Sequence, residues 1–460
     1  MTVHYPELAE RVRSQAVLQP DLYGGIDFSR TPYRHTTDLE VASTLPSWAD
    51  DRARILGNER VVELIRTATM LGDVVADPYA ALSETYGVRG LTSMLTLACR
   101  EGVDAVPDAP DELRAFIAAM EATPDWVDWD LIEEGARQAR IPAAFVAPFV
   151  IRGVFLGTFI NTYAALPMAL TGALSGARAA HRVNETSSFF AVTTMPGALR
   201  RNGQGFAAAA MVRLMHSMVR YNAMKRSTLW DADVYGMPVP QVDQMPAGLI
   251  NVYMLATEVR KRGGKKFNDA ERAVVEFSRF RCFLLGLPDE LLPSEPDEVI
   301  ETFHARGAML RDGFDDATCG ELVRSTMAAY IRPGHSPLDR TLESVEKSWS
   351  RVGFLRAFCN NSKAAAARMG VQVTLRDTLV VGATAPFIIG RNAAVTAVSK
   401  VPMLRGIADN YAIRVLKQRL KAYGTPEFTT DHTKYPTPAL PEVAHKVPSQ
   451  ADGEQETVVV

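Results

Sequence analysis

Four cysteines in 460 residues, Cys99, Cys282, Cys319 and Cys359, are too scattered for a disulfide frame, and no CxxC or Cys/His group joins them. They read as reduced, mostly buried thiols of a cytosolic protein. The chain also has no GxGxxG and no phosphate loop with its lysine, so it carries no fingerprint for a dinucleotide or a nucleoside triphosphate. No GxSxG is present, which leaves an esterase without its nucleophile elbow. Charge is balanced, at net −3 with no face-sized basic block, and gives no reason to expect nucleic acid. The first residues, MTVHYPELAERVRSQ, contain neither an apolar leader core nor a twin-arginine signal, so the expected location is cytoplasmic.

What the chain does have is helical periodicity. Ile55, Val61, Leu64, Ile65, Ala68 and Leu71 recur at helical spacing after an N-terminal arm, residues 1–47, rich in Pro, Tyr, Asp and Thr. Further helices are expected near 88–100, 111–123, 248–260, 296–310, 319–331, 339–359 and 404–423, and Asn268 with Glu271 forms a capping box. The expected organisation is all-α. One large helical domain spans 48–330, C-terminal helices at 331–424 pack on it, and the tail 425–460 is disordered.

One apolar run, 141–174, has Arg152 as its only charge and is longer than a membrane span requires. Pro142, Pro148 and Pro167 divide it, and Arg152 and Asn161 would sit deep in a bilayer. Two buried helices are the favoured reading, with peripheral membrane contact kept as an alternative.

The central stretch is GFAAAAMVRLMHSMVRYNAMKR, 205–226, a helix of roughly six turns with His216 at its middle. Ala209 and Ala223 lie above and below the imidazole on one face and leave a shelf for a flat ligand, while Arg213 and Arg220 flank it one turn away. A buried neutral imidazole is a common iron ligand, and two guanidiniums suit the two propionates of a heme. The same residues also fit a plain core histidine with two arginines reaching the surface. Upstream, Arg182, Glu185 and Thr186 share a helical face and could line the same cavity, with Arg182 meeting charge on bound oxygen, Thr186 donating a hydrogen bond and Glu185 moving a proton. A surface ion pair at a helix start is the alternative for that trio.

Taken in order, RVNET at 182–186, MVRLMHSMVR at 211–220 and WDADVYGMPVPQVDQ at 230–244 resemble the rubber oxygenase (latex clearing protein) and MpaB-type family over about residues 75–310. The resemblance implies a globin-like helical core that binds heme b through His216 as proximal ligand. It also implies propionate contacts from Arg213 and Arg220, and a distal pair in Arg182 and Thr186. Dioxygen would be co-substrate and an apolar, isoprenoid or lipid-like small molecule the substrate. Latex clearing proteins have a lysine where this chain has Glu185 and keep a general base where 141–174 holds no carboxylate, which places the chain nearer the MpaB branch. A non-oxygenase heme protein, peroxidase-like or a sensor, and an iron-free helical lipid-binding protein are the competing functions.

Overall fold

The computed structural model describes residues 4–49, 51–171 and 178–424, so the tail at 425–460 lies outside the described residues. Among the described residues there is no strand, only two isolated bridges, His35 to Leu310 and Ser43 to Arg311. The fold is all-α, as the periodicity requires.

The N-terminal arm is more than a surface wrap. Its helix α1, Pro6–Leu18, starts on a proline whose missing N–H costs nothing at that position, and it buries Leu8 and Val12. Farther on, Arg34 is fully buried and makes two hydrogen bonds to Asp243, at 2.9 and 2.8 Å. Helix α2, Glu59–Thr69, is capped by Asn58. Helices α3 (Ala76–Ala81), α4 (Ser83–Glu101) and α5 (Asp111–Glu121) follow.

Over its described residues, 141–171, the apolar run is not one straight helix. It enters as the end of α6, Trp129–Phe145, turns through 94°, and continues as α7, Ala147–Leu156, and α8, Thr162–Leu170. At 1.5 Å per residue, α7 reaches about 15 Å, half the thickness of a hydrocarbon core. Arg152, 1% exposed, is held inside the protein by Glu343 at 2.7 Å and by the carbonyls of Met327 and Ala329.

Next come α9 (Arg178–Val192), α10 (Gln204–Arg226), α11 (Gln241–Lys261) and α12 (Asp269–Leu284), the last opening on the Asn268–Glu271 capping box. Helices α13 (Pro296–Met309), α14 (Glu321–Ala328), α15 (Pro337–Phe358), α16 (Lys363–Arg368), α17 (Leu375–Ser399) and α18 (Arg405–Tyr423) complete the order. The 25-residue α17 has no counterpart in the sequence reading. Helix α11 also starts seven residues earlier than expected, because Pro246 sits inside it.

Two tight crossings hold these helices at fixed distances. A β-carbon on Gly135 of α6 would lie 2.0 Å from the Ala273 carbonyl oxygen of α12, and one on Gly153 of α7 would lie 2.3 Å from that of Ser350 on α15. Only glycine lets the backbones come so close. One apolar cluster joins α2–α5 with α10–α13 through residues such as Leu91, Phe116, Phe206 and Leu249. A second joins α7, α9, α14 and α15 through Leu156, Val183, Val323 and Phe354, so helices on both sides of residue 330 share one core. Residues of both groups line a single large cavity.

Candidate active site

The cavity has a volume of about 1910 Å³, and its walls are supplied by α7, α9, α10, α11, α13 and the segment after α15. Typical small-molecule sites run to roughly 1,000 Å³, so there is room here for a large flat ligand and a second molecule beside it. From α10 the wall takes Val212, Met215, His216 and Val219, one i, i+3, i+4, i+7 face.

His216 Nδ1 lies 2.8 Å from Gln244 Oε1 on α11. A chain of amides fixes the polarity of that bond. Gly72 O can only accept, and Gln241 Nε2 donates to it at 2.8 Å; Gln241 Oε1 then accepts from Gln244 Nε2 at 3.1 Å. Gln244 is left presenting its carbonyl oxygen to the histidine, so Nδ1 must carry the proton and Nε2 the lone pair. Nε2 makes no hydrogen bond among the described residues. The imidazole is neutral at physiological pH, because burial, then the charge of Arg220, pushes its pKa down to about 4. The ring lines the cavity in its neutral form, which suits it to offering a lone pair rather than to carrying a proton.

This depression sets a pH dependence. The unfolded chain takes up a proton at His216 near pH 6.5 and the folded chain near pH 4, so stability is lost as pH falls between those values. Urea unfolding of the heme-free protein should show a loss on the order of 2 kcal/mol between pH 7 and pH 5 that is absent from His216→Gln. Equal pH sensitivity of the two proteins would refute a neutral, buried ring.

Arg182, Glu185 and Thr186 line the same cavity from α9. Arg182 Nη1 donates to Glu185 Oε2 at 2.9 Å, and His181 Nε2 stands 3.0 Å from the other oxygen. Glu185 is 4% exposed, so this pair belongs to the interior and not to the surface alternative. Arg182 Nε is buried without a hydrogen bond among the described residues.

The flanking arginines need a correction. Arg213 and Arg220 do not line the cavity, because each is held by a carboxylate on the far flank of α10. Arg213 grips Asp73 with two hydrogen bonds, 2.6 and 2.9 Å; Arg220 Nε grips Asp77 at 2.9 and 3.0 Å, while its other nitrogens reach Val239 O and Ser217 Oγ. Burial pushes the Asp73 carboxyl up, but Arg213, Arg220 and the Ala76 N–H together outweigh it and the net pKa is lowered; for Asp77 burial prevails over Arg220 and the pKa is raised. These guanidiniums stabilise the start of α3, and their ion pairs turn them away from the cavity wall. Ala209 and Ala223 are likewise fully buried against neighbouring helices and form no part of the cavity wall.

A cation that the sequence reading passed over does line it. Arg281 on α12 is 6% exposed, donates to Gly248 O at 3.1 Å and packs over the rings of Phe190 and Phe277. It has no carboxylate partner among the described residues, its Nε is unsatisfied, and burial lowers its pKa. In the sequence it is one Arg among many on an amphipathic helix, and nothing marks it out. Gln241 and Asp243 did lie within a recognised loop pattern, although their partners did not: Asp243 joins Arg34 on the N-terminal arm to Arg306 on α13, at 2.8 and 2.7 Å.

Residues 142–389 match the family described as ER-bound oxygenase mpaB/B'/rubber oxygenase, catalytic domain. The match spans more than half of the chain, which therefore belongs to this family and is an oxygenase. Among solved structures, that of latex clearing protein LCP in the closed state covers 77% of this chain and 91% of its own, with TM-score 0.52 and 16% identity, a likeness of fold. No curated protein matches. Family membership decides for an oxygenase against both competing functions.

Proposed function

We propose that this oxygenase holds heme b on His216 and uses dioxygen to oxidise or cleave a carbon–carbon double bond in an apolar, isoprenoid or lipid-like small molecule, as a member nearer the MpaB branch. The observation that carries the reading is the Gly72–Gln241–Gln244–His216 chain, which leaves a neutral Nε2 lone pair on a ring that lines a cavity large enough for a porphyrin. A lone imidazole suits a metal that brings its own equatorial ligands, and among the described residues no group of three His, Cys, Asp or Glu could hold a bare ion.

Bound there, the heme would supply the activation of dioxygen. The chain's own residues do the rest. Phe155, Phe159, Phe189 and Met215 exclude water and orient an apolar substrate along the cavity. Arg182 places a positive charge where negative charge develops, with Thr186 beside it as a hydroxyl donor, and Glu185 holds or moves the proton. Arg281, which lines the cavity where Arg213 and Arg220 do not, meets a propionate.

Dioxygen uptake by the heme-loaded protein that depends on an unsaturated apolar compound tests the reading, and uptake indifferent to every such compound would end it. Glu185→Gln should keep the Soret band and lower kcat by about 10²–10⁴. Unchanged turnover would remove Glu185 from proton handling. Arg281→Met should weaken hemin binding by roughly 10–100-fold in a titration, the value of one lost charge-assisted contact. An unchanged Kd would assign the propionates elsewhere.

A further inference from the structure

Ten of the eighteen large hydrophobic residues left exposed in the described chain fall between Leu375 and Tyr411, on α17, α18 and the turn between them. Phe387 is 76% exposed and Met403 is 91% exposed. Isolated exposed hydrophobics are ordinary, but a concentration of this kind on one helix pair marks a contact surface.

The geometry says how the surface lies. One face of α17, Val381, Thr384 and Ile388, packs on α15, where Trp349 Nε1 donates to Thr384 Oγ1 at 2.7 Å. The opposite face carries Leu379, Ala383, Pro386, Gly390, Ala394 and Ala397, with Phe387 at its edge. α17 is long and apolar enough to cross a membrane. However, a crossing would carry its partner α15, with Glu343, Glu346 and Arg351, into the hydrocarbon. The helix therefore lies along a surface with its packed side toward the protein.

Charge decides what that surface meets. From Thr378 to Ala408 there is no carboxylate, and Arg391, Lys400 and Arg405 are the charges present. Between Leu375 and Gly424 eight Lys or Arg stand against two Asp, in a chain whose net charge is −3. Both acids are already taken, Asp377 by Ser348 and Arg351 at 2.8 and 3.0 Å, and Asp409 by Arg140. Arg405 pairs with Glu134 on the protein body, whereas Arg376, Arg391, Lys400, Lys417 and Lys421 have no ion pair among the described residues. A second copy of the chain fits badly. A two-fold contact would press these unpaired cations against their own mates with no free carboxylate on the two helices to meet them. A bilayer with anionic headgroups satisfies both features, taking the apolar residues into its boundary and the basic ones into its headgroups.

We infer that the α17–α18 hairpin docks this oxygenase on the surface of an anionic membrane, with Phe387, Met403 and Ile407 entering the headgroup boundary. The inference is independent of the heme and of the substrate.

Vesicle flotation of the full chain tests it, with phosphatidylcholine alone and with added phosphatidylserine. Binding is expected with phosphatidylserine vesicles and should weaken as salt rises. Phe387→Glu and Met403→Glu should each reduce it about tenfold or more. Lys400→Ala should reduce it roughly fivefold on anionic vesicles alone. These side chains are exposed, so unfolding midpoints should not move. Several results would overturn the proposal: no flotation with either vesicle, equal binding to both, or binding untouched by the two glutamates. So would a dimer in sedimentation analysis that Phe387→Glu makes monomeric while flotation is unchanged.

Discussion

His216→Ala should yield a folded protein with no Soret band after expression with hemin, while His181→Ala and His304→Ala keep theirs. All three histidines line the cavity, so the comparison tests the chemistry of one ring and not the loss of any imidazole. His181 stands 3.0 Å from Glu185 and His304 Nε2 is 3.0 Å from the Tyr253 hydroxyl, whereas the single partner of His216 leaves Nε2 free. Proximal ligation carries most of the specific affinity of a heme site, so the loss should be essentially complete. Added free imidazole should restore the band by filling the space the substitution opens. A His216→Ala protein that retains stoichiometric heme would overturn the assignment of the ligand and the mechanism built on it.

The second large effect is structural. Arg220→Met should destabilise the protein by about 3–5 kcal/mol, because it leaves the Asp77 carboxylate buried without its cation. Against a total stability of about 5–15 kcal/mol, that is a large fraction of what keeps the chain folded. The pH dependence provides a signature. Burial already raises the Asp77 pKa, and removing Arg220 raises it further, so the folded variant binds a proton that the unfolded chain gives up near pH 4. Stability of the variant should therefore fall as pH rises from about 4, the reverse of the dependence that His216 imposes. Asp77→Asn in the same background should recover most of the loss, since it removes the unpaired charge while leaving an amide for the Tyr23 hydroxyl, which bonds Asp77 at 2.9 Å. Equal melting points for the single and double variants at pH 8 would show that the pair does not act as argued.

Both predictions concern residues on one helix, and the two differ in how much of their setting could be read beforehand. Spacing and order single out His216, Arg182, Glu185 and Thr186, and the structure brings all four to one cavity. The same spacing singles out Arg213 and Arg220, which face Asp73 and Asp77, about 140 residues earlier in the chain. Spacing fixes which face of a helix a side chain occupies but not what is packed against that face. Gln244 fell inside a recognised loop pattern, yet its role depends on a three-bond chain that ends on a backbone oxygen at Gly72. Arg281 carries no sequence signal, because its distinguishing property is the absence of a carboxylate partner among the described residues. The missed α17 did carry one: Thr374 and Asp377 form a capping box, with an aspartate where glutamate is usual.

The sequence by itself determined the helical class, the position of the central helix and the identity of its histidine, since periodicity and local order need only neighbours along the chain. Tertiary structure alone decided which cations remain free for a ligand, which proton the imidazole carries, and that the apolar run at 141–170 turns inward while α17 faces outward. Those outcomes are set by pairs of charges, amides and surfaces that meet across long separations, and a buried charge takes the nearest opposite charge that folding places beside it.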